Sequence, residues 1–362
     1  RTEGGRDLLV DLPRRAHDYT FQPADHPFLA APTAPPGPVG GGVRPPPLSK
    51  SLNREAQETM SAFWYSEAQE AIRDGVLRTL APFDDAYWRE ADDTGRFPEA
   101  FVAAMAEGGW LGVAMPESVG GARLGLTEAA IVMQTVAQSG AAFTGASAIH
   151  LNIFGLMPVV KYGTERQQLE WLPRIISGED KTCFAVTEPN SGLDTASLET
   201  RAERTNDGYV LNGRKIWTTS AQRANKILII ARTTPKDRCA KPHQGLSLFY
   251  TDLDRARIEA KPIPKMGRRA VECNALFIDD LRVPAGDLVG EEGQGFQYLL
   301  SGLNPERVLF AAESVGIGRA ALAKAARYAG ERVVFGRPIG QNQGVQHPLA
   351  RCWAELESAN LM

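Results

Sequence analysis

Lys181-Thr182-Cys183-Phe184-Ala185-Val186-Thr187-Glu188-Pro189-Asn190-Ser191-Gly192 is where the sequence changes its period. Upstream, apolar residues recur at helical spacing. Here residues 183–187 are short and β-like, and the Pro-Asn-Ser-Gly phrase that follows punctuates them as a turn. Such a turn exposes backbone N–H groups able to hold a pyrophosphate. The plain alternative is a connecting turn with no ligand. No G-x-G-x-x-G or G-x-x-x-x-G-K-[ST] phrase stands between a strand and a helix, so a Rossmann or P-loop site is not expected.

Toward the N-terminus the reading is helical. Ser66 with Gln69 resembles a capping box, Ile72, Val76 and Leu80 follow at helical spacing, and Pro82 stops the run. Residues 99–106 fit a second helix, and Trp110 to Pro116 a buried loop. Residues 126–138 read as a long apolar helix, and Thr164 caps another over 165–176 with Gly178 as its stop. Residues 60–180 are therefore expected to form an all-α domain. Residues 31–47 read APTAPPGPVGGGVRPPP, a linker composition, and 1–59 are expected to be disordered or upstream sequence.

Toward the C-terminus the period stays near two. Asn206-Asp207-Gly208 and Asn212-Gly213 are tight-turn signals flanking Tyr209-Val210-Leu211. Residues 226–233, 246–251 and 275–278 are further strand candidates, which makes 181–288 a middle β domain. Helix returns after Gly295: residues 307–328 form a long Ala- and Leu-rich helix, and His347 starts another with Leu349, Trp353 and Leu356 on one face. That last helix reaches Met362 with no glycine, proline or basic cap, so the C-terminal domain, 289–362, is expected to be truncated. The fold class is α+β multidomain: an N-terminal helical domain, a middle β-barrel-like domain and an incomplete C-terminal helical bundle.

Composition narrows the class of function. A chain of 362 residues, 43% apolar, can hold two or three domains with a sizeable core. A formal charge of -3 argues against nucleic acid or an anionic membrane as the main partner. Cys183, Cys239, Cys273 and Cys352 have no metal-ligand spacing, and free thiols in a reducing compartment are the simplest reading. No apolar run is expected to reach bilayer-spanning length. The Ala-, Arg- and Gly-rich composition fits a bacterial cytoplasmic protein, with the mitochondrial matrix left open.

Five phrases, in this order, resemble the acyl-CoA dehydrogenase family over residues 66–362. They are Gly163-Thr164-Glu165 running to Trp171-Leu172-Pro173 and Ser177-Gly178-Glu179; Ala185 to Gly192; Leu211-Asn212-Gly213-Arg214-Lys215-Ile216-Trp217-Thr218-Thr219; Val283-Pro284 to Gly290-Glu291-Glu292-Gly293-Gln294-Gly295-Phe296; and Glu331-Arg332-Val333-Val334-Phe335-Gly336. The resemblance implies an FAD enzyme that dehydrogenates an acyl-CoA thioester and passes electrons to an electron-transfer flavoprotein. It implies flavin contacts from Val186, Thr187 and Gly192, with Leu193 standing where the family often has serine. It sets Trp217 against the flavin ring and Thr219 near N5, although an indole by itself is more often core. It carries Arg332, Phe335 and Gln343 across a subunit interface to a neighbour's flavin, which implies a homotetramer.

The same resemblance suggests the base. Leu303-Asn304-Pro305-Glu306-Arg307 is similar to the minority pattern of isovaleryl-CoA and long-chain dehydrogenases, with Glu306 as base and Leu303, Asn304 and Arg307 at the substrate. Read locally, Glu306 is a first-turn carboxylate favoured by the helix dipole. The alternatives are an acyl-CoA oxidase-like or other flavoenzyme of this fold, and a non-catalytic homologue. Acyl chain length and branching stay open.

Overall fold

The computed structural model describes residues 65–362. The expectations for residues 1–59 lie outside these.

Local chemistry sets the first helices. Helix α1, Glu67–Leu80, starts at Ser66: the Gln69 N–H donates to Ser66 Oγ at 3.3 Å, and the Ser66 N–H to Gln69 Oε1 at 3.1 Å. Helix α2, Asp85–Thr94, is one the sequence reading passed over, although Asp84 caps it and Gly95, at φ +67°, closes it. Helix α3 is Glu99–Glu107, followed by a 3₁₀ turn at Trp110–Gly112 whose Leu111 and the nearby Val113 and Met115 are buried.

A helical run then extends from Leu126 to Tyr162. It consists of α4 (Leu126–Val136), a kinked segment at Ala137–Ala141, α5 (Ala142–His150), a π turn at Leu151–Gly155, and α6 (Met157–Tyr162). The run is kinked where Gly140 takes φ +107° and Ala142 φ +48°. At 37 residues, with a window of mean hydropathy 1.4, it is long and apolar enough to cross a bilayer, which corrects the expectation that no such run exists. In this fold it is a core element: Val132, Met133 and Val136 are fully buried and belong to one cluster with Phe101, Met105 and Leu309. Helix α7, Glu165–Ile176, is capped by Thr164 with Gln167, as its sequence indicates.

The middle region is one eight-stranded sheet. Its strands are β1 (Thr182–Ala185), β2 (Arg201–Arg204), β3 (Gly208–Thr219), β4 (Lys226–Arg232), β5 (Leu246–Asp252), β6 (Ile258–Pro262), β7 (Cys273–Pro284) and β8 (Leu288–Val289). The order is β6-β7-β3-β2-β4-β5-β8, with β1 parallel to β4. Strand β4 is apolar on both faces because both are covered. Ile227 and Ile229 pack with Leu211, Phe249 and Leu276, whereas Leu228 and Ile230 pack with Trp171 and Leu172 of α7.

Two turn signals behave differently. Asn206-Asp207-Gly208 does turn the chain into β3, the Thr205 N–H bonding the Gly208 carbonyl at 2.8 Å. Asn212-Gly213 does not; β3 runs straight through it, and the pairing with β7 slips between Leu211 and Gly213. Glycine is needed there because a Cβ would meet Thr200 Oγ1 at 2.5 Å, while Asn212 Oδ1 accepts the Asp280 N–H at 2.9 Å across the slip. A second slip falls between Lys215 and Thr218.

Helix α8, Gly295–Glu331, starts twelve residues earlier than expected (295 against 307) and continues through Pro305. Glu306 therefore lies inside the helix, three turns from its start, and the first-turn dipole argument does not apply. Helix α8 packs closely on α4 at Gly316, where a Cβ would meet the Gln134 carbonyl at 2.4 Å. A short hairpin, β9 (Val333–Val334) and β10 (Arg337–Pro338), leads to α9, Gln343–Leu361, which is tied back to α8 by Arg319 and Glu357 at 2.7 Å.

Candidate active site

A cavity of about 370 Å³ opens between the sheet and the helices. Phe184, Val186, Thr187, Ile216, Trp217 and Thr219 form its sheet wall. Leu151, Phe154, Leu303, Glu306 and Phe310 are on its helical wall.

The sheet wall is two backbone segments pinned side by side. The Ile216 N–H donates to the Thr187 carbonyl at 2.9 Å. Behind them Lys215, fully buried, donates from Nζ to the Val186 carbonyl at 3.0 Å and to Glu188 Oε1 at 2.9 Å. Glu188 also accepts the N–H groups of Glu199 and Thr200 at 2.6 and 3.0 Å. Burial pushes the Glu188 carboxyl up, but Lys215 and these N–H donors together outweigh it and hold the group below the usual carboxylate range. Among the described residues Glu188 is the one charged partner of Lys215, and burial prevails, pushing Lys215 down to about 8.

The β3 slip sets the side chains of this wall. Trp217 is held at φ +62° and stands 57% exposed. Thr218 turns inward, and its buried Oγ1 has no partner among the described residues; Thr219 faces the cavity. A half-exposed indole beside two cavity-facing hydroxyls, Thr187 and Thr219, fits a planar, hydrogen-bonding ring. Gly192 lies just past the Glu188–Ser191 bridge, exposed and with open space around it, and Leu193 beyond it is fully exposed.

The helical wall follows the helix period. Leu303, Glu306, Phe310 and Glu313 recur at three- and four-residue steps on one face of α8. Asn304 and Arg307 belong to the neighbouring face. Both are exposed, Arg307 Nη1 donates to Asn304 Oδ1 at 2.6 Å, and neither lines the cavity. Of the three residues expected at the substrate, the structure brings only Leu303 there. Burial lifts the Glu306 carboxyl above the usual range and Glu313 adds to this, while the charges of His150 and Arg307 pull the other way.

Ser147, His150, Arg268 and Glu313 also line this space, and the sequence reading missed all four. Arg332, Phe335 and Gln343 are not brought to it. They are exposed around the β9–β10 hairpin, at the far end of α8, with Phe335 fully exposed at φ +52°.

Comparison with known proteins covers most of the described chain. Residues 66–179 match the acyl-CoA dehydrogenase N-terminal domain, 183–281 its middle domain and 293–362 its C-terminal domain. The chain is 33% identical to the acyl-CoA dehydrogenase fadE12 of Mycobacterium bovis, over 84% of this chain and 77% of that one. It is also 33% identical to the mitochondrial short-chain specific acyl-CoA dehydrogenase of Sus scrofa, over 90% and 77%. Among solved structures, a glutaryl-CoA dehydrogenase from Mycobacterium smegmatis in complex with FADH2 superposes with a TM-score of 0.73 at 25% identity, covering 83% of this chain and 75% of that one. The helical, sheet and helical parts, the cavity between them and these likenesses agree: the chain belongs to the acyl-CoA dehydrogenase family of oxidoreductases.

Proposed function

We propose that the protein is an FAD enzyme that converts an acyl-CoA thioester to the trans-2-enoyl-CoA, with Glu306 as the base. The observation that carries this reading is a carboxyl on the helical wall of a cavity whose other wall offers Trp217 and Thr219. FAD, when bound, accepts the β hydride of the substrate. Val186, Thr187 and Gly192 would hold it with backbone and hydroxyl groups, Trp217 would cover its ring and Thr219 would hydrogen-bond to it. Arg332, Phe335 and Gln343 stand away from their own cavity, which supports a role toward a neighbouring copy in a homotetramer. We further read residues 60–180, 181–288 and 289–362 as the three domains, and an electron-transfer flavoprotein as the acceptor partner.

The chain's own part is proton removal and positioning. The α proton of a thioester is weakly acidic, so a base whose pKa is lifted toward neutrality matches the task better than an ordinary carboxylate. Leu151, Phe154, Leu303 and Phe310 line the cavity beside the base and would pack on the acyl group. Arg307 stays outside the cavity; its charge tempers the rise in the Glu306 pKa.

The test is Glu306→Gln in FAD-loaded protein, with flavin reduction by acyl-CoA followed anaerobically. The variant should keep FAD and bind acyl-CoA, yet reduce its flavin about a hundredfold more slowly or worse. Because the base works only when ionised, parental kcat/KM should rise with pH through the raised Glu306 pKa, and this limb should vanish in the variant. Parental reduction rates in Glu306→Gln would place the base elsewhere.

A further inference from the structure

The cavity has two ends of different chemistry. Around Glu306 the helical wall is aliphatic and aromatic. Two turns deeper along α8, roughly 10 Å at 1.5 Å per residue, the wall is polar. Glu313 is only 1% exposed there and pairs with His150 Nδ1 of α5 at 2.5 Å. One turn before His150, Ser147 Oγ accepts from Arg268 Nη1 at 2.6 Å, and this guanidinium has no carboxylate partner among the described residues. All four residues line the same cavity as Glu306.

A plain alkyl chain would strip water from these groups and replace none of the lost hydrogen bonds. The open valence is on His150. With Nδ1 committed to Glu313, its Nε2 has no partner among the described residues, although the side chain is only 12% exposed and faces the cavity. Nε2 accepts when the imidazole is neutral and donates when it is protonated; a hydroxyl does both and so suits either state. A carboxylate suits it less. It has no donor for a neutral Nε2, and it would share one cavity with the carboxyls of Glu306 and Glu313.

We propose that the deep end of the cavity is a recognition site for a hydroxyl group, so that the preferred substrates are acyl-CoA thioesters hydroxylated on a distal carbon. This rests on the acyl-CoA dehydrogenation reading above. It makes His150 and Ser147 the groups that select the substrate, with Glu313 fixing the imidazole.

The experiment measures kcat and KM of the FAD-loaded full chain on matched series from butyryl- to octanoyl-CoA. One series is unsubstituted, one terminally hydroxylated and one terminally carboxylated. At one length or more, the hydroxylated thioester should exceed its unsubstituted partner in kcat/KM by about tenfold, mostly through KM, the scale of one good hydrogen bond in a closed site. In His150→Phe that ratio should fall to about one, with His150→Gln retaining part of it. If unsubstituted chains are used as well as hydroxylated ones at every length, the proposal is wrong, whatever the variants do. Preference for the carboxylated series would overturn it in favour of an anion site at Arg268. Failure of all three series to reduce the flavin would instead break the dehydrogenase reading, and the hydroxyl site with it.

Discussion

The two walls of the cavity are made in opposite ways. The sheet wall is a matter of backbone: a register slip in β3, a left-handed Trp217 and a strand end pinned by one buried ion pair. The helical wall is regular backbone, and its chemistry comes from which side chains the period of α8 delivers. A wall of the first kind holds shape and is fragile at its pins. A wall of the second kind tolerates substitution and carries the charge. The difference predicts that stability is most sensitive behind the sheet wall and chemistry most sensitive on the helical one.

The sharpest way to break this contrast is Lys215→Met. Removing one partner of a buried pair leaves Glu188 an uncompensated charge, which is expected to cost about 3–5 kcal/mol. Denaturant unfolding should show this loss together with weakened FAD binding. A loss under about 1 kcal/mol would mean that the pair does not pin the wall.

Trp217→Gly separates shape from contact. Glycine removes the left-handed penalty of about 1–2 kcal/mol, and the indole is 57% exposed, so the apoprotein should be no less stable. FAD affinity should nevertheless fall by about tenfold, on the scale of one lost aromatic contact. A clear drop in apoprotein stability would show that Trp217 is a core residue after all. The smallest effect belongs to Leu193→Ser. Leu193 is fully exposed and packs on nothing, so titration should find FAD affinity unchanged or slightly improved. A large loss of affinity would show that its side chain is used.

What was legible in the sequence was mainly what neighbours in sequence decide. The caps at Ser66 and Thr164 are hydrogen bonds over three residues, and the helices they start are where the pattern puts them. Asp84 and Gly95 carried an equally plain signal for α2 that went unread. Asn212-Gly213 misled because a bulge and a hairpin turn ask for the same residues; only the partner strand distinguishes them. The expected start of α8 at residue 307 was late by twelve residues, because the helix runs continuously through Pro305.

The cavity residues divide in the same way. Glu313 could have been found as the residue seven places after Glu306, on the same helical face. His150 could not. Its partner is 163 positions away, and no local pattern links the two.

Helix α5 starts at a kink: Gly140 at φ +107° and Ala142 at φ +48° break the helical path, and α5 leaves α4 in a new direction. The phase of α5 is set at that kink, independently of what α5 itself contains. Along α5 one residue is about 100° of rotation, so a relative with one residue fewer between the kink and Ser147 would turn a different face to the cavity, exchanging Ser147 and His150 for neighbours without substituting either. In this protein, insertion and deletion after the kink are a route to new cavity chemistry, as direct as substitution.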